Sequence, residues 1–223
     1  MVKSGGAMTH IKMIATFIGH ICALATSVAA QPSEICRQAA ADVAATSNVP
    51  FAVLLAITQT ETGRTNNGIT EPWAWAVNLN GAGHWFDTRT EAYAFARQAL
   101  SRNQRSFDVG CFQINYRWHH ENFASLDAMF DPLINGQYAA QFLSDLYRET
   151  GSWSQAAGTY HSRTEVYATR YRARFDAFYA AAQNDPSEPA RQQSRQNTFG
   201  LLQPGSTAQT LGSLVPLRKG LAH

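Results

Sequence analysis

Between Phe51 and Gly63 the chain spells out a helix that is apolar along one stripe and then places an acid on that same stripe. Phe51, Leu54, Ile57 and Thr58 share a face at the helical period. Glu61 is the next member, seven residues past Leu54 and four past Ile57. Such a chain must fold so that the stripe meets a core, with Glu61 at its margin. Burial disfavours the charged carboxylate, so Glu61 is expected to carry a raised pKa. It would then hold a proton near neutral pH, as a general acid must. Pro50 suits the first turn of this helix, and Gly63 offers a stop just beyond Glu61. The competing reading is a glutamate that snorkels at a helix end or pairs with an arginine.

Residues 1–30 read as a cleavable export signal. Lys12 (or Lys3, if Met1 rather than Met8 is the start) supplies the positive end, and Met13 to Thr26 is mostly apolar. Val28-Ala29-Ala30 before Gln31 is an acceptable small-residue cleavage site. The apolar run is short for a bilayer span, so export to the periplasm is expected, with no stable membrane span after cleavage. Removing residues 1–30 takes Lys3 and Lys12 and no acid, so 18 basic residues against 16 acidic become 16 against 16. The net charge of +2 therefore belongs to the signal. A neutral remainder gives no electrostatic case for nucleic acid or an anionic membrane surface. Cys22 also leaves, and Cys36 and Cys111 remain. In an oxidising compartment the simplest reading is one disulfide tying the first helix to a central loop, with two buried thiols as the alternative.

Residues 31–184 read as one domain long enough to bury a core. Ser33 to Thr46 forms a first helix. Trp73-Ala74-Trp75-Ala76-Val77 alternates in the strand period, and Asn80-Gly81 precedes His84-Trp85-Phe86, which predicts a small β-hairpin. Thr88 with Glu91 is a capping-box pattern opening a helix to about Leu100. Arg105 to Asn115 reads as irregular to extended. Asp131-Pro132 opens a helix to about Glu149, ended by Gly151. Trp153 to Thr159 is a short helix, and Thr164 to Ala182 a longer one with Tyr167, Tyr171, Phe175 and Phe178 on a core face. Residues 185–223, rich in Pro, Gln and Ser, lack a periodic apolar face and read as a largely disordered tail. Within it, Leu211 to Leu217 offers a weak apolar patch that could dock on a partner.

Three segments concentrate polar residues between apolar flanks: Glu61-Thr62-Gly63, Gly110-Cys111-Phe112-Gln113-Ile114-Asn115 and Gly158-Thr159-Tyr160-His161-Ser162. In order and separation they resemble the soluble lytic transglycosylase (SLT) family of the lysozyme-like superfamily. Its pattern is Glu-Ser, then Gly-Leu-Met-Gln-Ile/Leu-Asn, then Ala-Tyr-Asn. The resemblance spans about Ser33 to Ala182. Thr62 stands where the family has Ser and keeps the hydroxyl. Cys111-Phe112 replaces Leu-Met, and His161 replaces Asn. Trp73 to Leu100 looks like the hairpin-plus-helix insertion of some exported members. The implied fold is mainly α (an α+β, lysozyme-like helical domain with a small β-hairpin insertion and a disordered C-terminal tail).

The resemblance implies cleavage of the β-1,4 bond between N-acetylmuramic acid and N-acetylglucosamine in peptidoglycan, with no metal or organic cofactor. Glu61 would protonate the leaving oxygen while the substrate's 2-acetamido group stabilises the oxocarbenium-like centre. Glu61 would then take the C6 hydroxyl proton as a 1,6-anhydro ring closes, unlike the usual pair of carboxylates. Thr62, Gln113, Asn115, Tyr160 and His161 would bind the glycan strand. Gln113 and Asn115 alternate with Phe112 and Ile114, which in an extended segment puts both amides on one face; amides that only satisfy backbone are the alternative. Tyr160 would hydrogen-bond near Glu61. Trp73, Trp75, Trp85 and Trp118 are candidates for stacking on sugars. No second acid stands in an equally diagnostic motif. Asp87, Asp108 and Glu71 are the obvious ones, Asp87 reading as turn or cap chemistry and Asp108 as a residue before the Gly110 turn, either of them solvated. Enzymes of this kind often open the wall for secretion, conjugation, pilus or flagellar machinery, and the tail could recruit such a partner. The rival readings are a hydrolytic lysozyme, a non-catalytic peptidoglycan-binding protein and a cysteine peptidase using Cys111 with His161 or His119. A metal site from His84, His119, His120 and His161 is weaker, because His119 and His120 diverge on any regular element and no His-Glu-x-x-His spacing exists.

Overall fold

The computed structural model describes Met1 and residues 30–184. Most of the expected signal segment, the expected tail and its Leu211–Leu217 patch lie outside the described residues. Helix α1 (Pro32–Thr46) leads into α2 (Phe51–Thr62). Phe51 to Thr58 are all buried, so α2 is a central helix rather than one with a single apolar stripe. It packs between α1 and a C-terminal helix, α8 (Glu165–Ala182). Each of Leu54, Leu55 and Ile57 is almost wholly removed from water. Truncating one of them to Ala would cost about 2–5 kcal/mol. Thr58, Thr60 and Thr62 are tolerated there because each hydroxyl donates to a carbonyl three or four residues back. Gly63 stops the helix without a left-handed φ. Its role is steric, since a Cβ there would collide with the Gln59 carbonyl and the Thr70 methyl.

Two hairpins follow. β1 (Arg64–Asn66) pairs with β2 (Ile69–Glu71), and β3 (Ala76–Leu79) with β4 (Ala82–Trp85). Asn67-Gly68 and Asn80-Gly81 both turn with positive φ at each residue, the two-residue hairpin geometry. The expected second hairpin is therefore present, but its first strand starts at Ala76; Trp73 to Trp75 precede it. Helix α3 (Arg89–Ser101) carries the anticipated capping box between Thr88 and Glu91. Residues expected to be irregular to extended then complete a four-stranded antiparallel sheet. β5 (Phe107–Val109) and β6 (Ile114–Asn115) join in the order β4-β3-β5-β6.

Short helices α4 (Tyr116–His119) and α5 (Leu126–Met129) lead to α6 (Pro132–Thr150). Asp131 caps α6 by accepting from the Leu133 and Ile134 amides, and Gly151 ends it in the left-handed region at φ 69°. α7 (Trp153–His161) then turns the chain into α8. The architecture is mainly α with a small β part. Tyr171 and Phe175 of α8 are buried as expected, but Tyr167 is 55% exposed. It lies one turn before Tyr171, where Ala168 is the residue that faces the core. Cys36 on α1 is bonded to Cys111 beside β6. Closing a loop of this length stabilises the fold by about 4 kcal/mol in the chain-entropy picture. The bridge also removes the thiolate that a cysteine peptidase would require.

Candidate active site

Only Gln59 and Glu61 of α2 are partly open to solvent; every other residue of that helix is buried. The Glu61 carboxyl therefore emerges where the central helix leaves the core. Tyr171 of α8 donates its hydroxyl to Glu61 Oε1 at 2.8 Å. Arg174, next to it on α8, spends a guanidinium N–H on the Thr60 carbonyl at 2.7 Å. Among the described residues no ion pair reaches Glu61. Desolvation dominates and pushes the Glu61 pKa up to about 8. The Tyr171 hydrogen bond and the Arg174 charge pull it down, while the negative charge of Asp108 pushes it up. Neither pairing with an arginine nor snorkelling describes this residue.

The sheet supplies the facing wall. Asn78, Asp108 and Asn115 are direct cross-strand partners on β3, β5 and β6, so their side chains form one row. Val77, Phe107, Val109 and Ile114 point the other way into the core. Gly83 on β4 extends the row opposite Asn78. Trp85 ties this face to α2: its indole Nε1 donates to the Thr62 carbonyl at 3.0 Å. Its ring lies over Gly83, where an added Cβ would approach to 3.0 Å.

Asp108, an obvious candidate second acid in sequence but equally open to a solvated reading, is desolvated, and its pKa rises to about 6 despite a hydrogen bond from Asn115 Nδ2 at 2.6 Å. Asp87 and Glu71 are exposed.

The expected binding residues divide. Asn115 lies in the row beside Asp108, and its Oδ1 is buried without a partner. Thr62 is turned inward: it is 1% exposed, donates to the Thr58 carbonyl and accepts from the Trp73 amide at 2.9 Å. Its hydroxyl joins α2 to the approach to β3 and is not presented to a ligand. Gln113 sits in a turn at φ 47°, not in an extended segment, and its amide donates to the Ala76 and Gly110 carbonyls. The two amides therefore do not share a strand face; for Gln113, satisfying backbone is the observed role. Tyr160 bonds the Phe112 carbonyl at 2.7 Å rather than Glu61, bracing the second motif from α7. His161 stacks on Tyr171 at 4.7 Å between ring centres, and burial lowers its pKa.

Trp73 donates to the Phe86 carbonyl under the Arg64 guanidinium, while Trp118 is 70% exposed. The four histidines weighed as ligands are dispersed. His84 packs on Phe95, His119 meets the Tyr138 hydroxyl, His120 meets the Tyr116 carbonyl, and His161 backs Tyr171. A groove lined by Thr46, Asn48, Gln141, Tyr147 and Trp153 contains none of the site residues.

Tyr171, which pattern reading took only as core, and Asn135, which it did not single out, are the supporting residues it missed. Asn135 on α6 is fully buried and accepts from the Phe112 amide while donating to the Val109 and Met129 carbonyls. It holds the Gly110–Phe112 turn in place. Gly110, at φ 79°, leaves room for it, since a Cβ there would sit 3.0 Å from the Asn135 amide.

In a mainly α body, the central helix thus delivers a protonatable glutamate toward the polar face of a small sheet. Residues 89–166 match the family model of the transglycosylase SLT domain, which bears out the resemblance carried by the motifs. The matched stretch runs from α3 to the start of α8, so it contains the second and third motifs and leaves Glu61 outside. It supports a peptidoglycan-related function of the lytic-transglycosylase type. No curated protein and no solved structure matches the chain.

Proposed function

We propose that the chain is a peptidoglycan lytic transglycosylase that cleaves the β-1,4 bond between N-acetylmuramic acid and N-acetylglucosamine and leaves a 1,6-anhydro end. The observation that carries this reading is Glu61 itself, a carboxyl at the open end of a buried helix with a pKa of about 8. At neutral pH it holds the proton that the leaving oxygen needs. Once that proton has gone, the carboxylate is basic enough to take one from the C6 hydroxyl. Tyr171 keeps the carboxyl in one orientation through both steps. Residues 1–30 serve as the export signal, the mature protein works in the periplasm, and the segment after residue 184 recruits an envelope machine that needs the wall opened locally, such as a secretion, pilus or flagellar apparatus.

One observation favours a hydrolytic lysozyme as the second reading. Asp108 is a second desolvated carboxyl electrostatically coupled to Glu61, and a second carboxylate is what activation of water requires. The absence of a credible partner acid therefore no longer argues for ring closure.

Digestion of purified sacculi followed by mass analysis of the fragments separates the readings. The expected products end in anhydro sugars, one water lighter than hydrolysed ends. Glu61→Gln should lower the rate by about 10²–10⁴-fold while leaving the fold intact. Hydrated reducing ends would establish the lysozyme reading. Full activity in Glu61→Gln would remove both.

A further inference from the structure

The row Asn78–Asp108–Asn115 has a chemical bias that the proposed acid–base cycle of Glu61 does not use. Asn115 Nδ2 donates to Asp108 Oδ1 at 2.6 Å, and among the described residues no protein donor meets the other Asp108 oxygen. The Oδ1 atoms of Asn78 and Asn115 are buried and lack partners. Acceptor oxygens left without partners, on the sheet face tied to the Glu61 helix by Trp85, call for a ligand that brings N–H or O–H groups. Hydroxyls can serve as donor or acceptor, but the glycan's acetamido N–H can only donate. It is also attached to the sugar carbon next to the reacting one.

We propose that Asp108, held by Asn115, is a positioning residue that accepts the 2-acetamido N–H of the muramic acid residue whose glycosidic bond is cleaved. This rests on the transglycosylase reading and deepens it. With the N–H fixed, the acetamido oxygen is aimed at the anomeric carbon. Its lone pair forms the new bond to that carbon as the glycosidic bond breaks. The bonding pair leaves with the departing oxygen, which takes the Glu61 proton. The positive charge on the resulting five-membered ring lies against the Asp108 carboxylate. The C6 oxygen then displaces the acetamido oxygen while Glu61 regains a proton from the C6 hydroxyl, and the electron pair returns to the amide. Atoms and charge balance without water.

The electrostatics agree with this placement. Glu61 is faced by Tyr171 and Arg174 of α8, by Tyr160 of α7 and by Asp108 of β5, with His161 stacked behind Tyr171. The negative charge of Asp108 adds to the desolvation that keeps the proton on Glu61. Ionised Asp108 with protonated Glu61 is the working form, so activity should rise through about pH 6 and fall through about pH 8.

The test compares wild type and Asp108→Asn on sacculi, reading kcat, KM, the pH profile and product mass. The expected result is a kcat lower by about 10²-fold with little change in KM, as for the loss of an interaction made chiefly in the transition state. The acid limb should disappear and the alkaline limb should move to lower pH. A purely structural aspartate would lower thermal stability and leave kcat and the acid limb in place. In parallel, a thiazoline analogue of the cyclised acetamido sugar should bind wild type and lose affinity for Asp108→Asn, a readout independent of turnover.

Unchanged kcat and an unmoved acid limb in a folded Asp108→Asn, with anhydro products in wild type, would overturn this inference alone. Hydrated wild-type products would overturn it together with the transglycosylase reading and assign Asp108 to activating water. If Asp108→Asn does not fold, Asn115→Ala reads the same point. Releasing the carboxyl from its amide partner should move the acid limb to higher pH and lower kcat, and an unmoved limb would reject the role.

Discussion

Tyr171 shows how one hydroxyl can tune the chemistry of the chain. Its own pKa is raised well above the usual value, first by burial and then by the Glu61 charge, so it stays protonated and donates throughout the neutral range. The bond it makes stabilises the ionised form of Glu61, opposing the desolvation that raises the carboxyl's pKa. Tyr171→Phe removes that donor without opening a cavity. The Glu61 pKa should then rise above about 8. A displacement on the order of one unit is expected for one hydrogen bond to a charged group. The alkaline limb of sacculus digestion should move to higher pH, whereas Asp108→Asn moves it to lower pH. Opposite displacements in the two variants are the signature. A limb that ignores Tyr171→Phe would mean that another group titrates there.

At the scale of elements, the second motif is a tight turn clamped from three sides. The Cys36 disulfide reaches it from α1, Tyr160 from α7 and Asn135 from α6. Asn135 satisfies three backbone groups at once, and Ala in its place would strand all three in the core. Asn135→Ala should cost about 2–4 kcal/mol in chemical denaturation, with activity falling as the turn loosens. A loss below about 1 kcal/mol would show that water replaces the amide.

These same elements mark what could be read from the chain. The helices were legible because their caps are local: Thr88 with Glu91, Asp131 before Pro132, and Gly151. The Asn80-Gly81 hairpin was legible for the same reason. Asn67-Gly68 carries an equal turn signal, but its exposed flanks show no alternation to announce strands. Gln113 misled because a period of two was carried through a residue with left-handed backbone. Asp108 does alternate with Phe107 and Val109, yet its desolvation depends on β3, β6 and α2 closing around it, which no local pattern records. Asn135 reads as the polar side of an amphipathic helix until α6 is packed against the turn.

For the whole molecule, the groups that equip the site oppose the fold that holds them. Glu61 has its pKa raised from 4.5 to about 8, and Asp108 from 3.8 to about 6. In each case the folded state binds the proton more tightly than the unfolded chain. The stability linked to Glu61 is therefore fully present below pH 4.5 and is lost as pH rises through about 8. For Asp108 the window runs from 3.8 to about 6. The combined loss between mildly acidic and mildly alkaline pH is on the order of a few kcal/mol. The Cys36–Cys111 bridge supplies stability of similar size that does not titrate in this range. Urea unfolding at pH 5 and pH 8.5 should show wild type weaker at the higher pH. Glu61→Gln, which never ionises, should nearly match wild type at pH 5 and exceed it at pH 8.5. Equal pH dependence in the two proteins would mean that Glu61 is solvated in the folded state. It would then lack both the stability penalty and the raised pKa on which its proposed acid role depends.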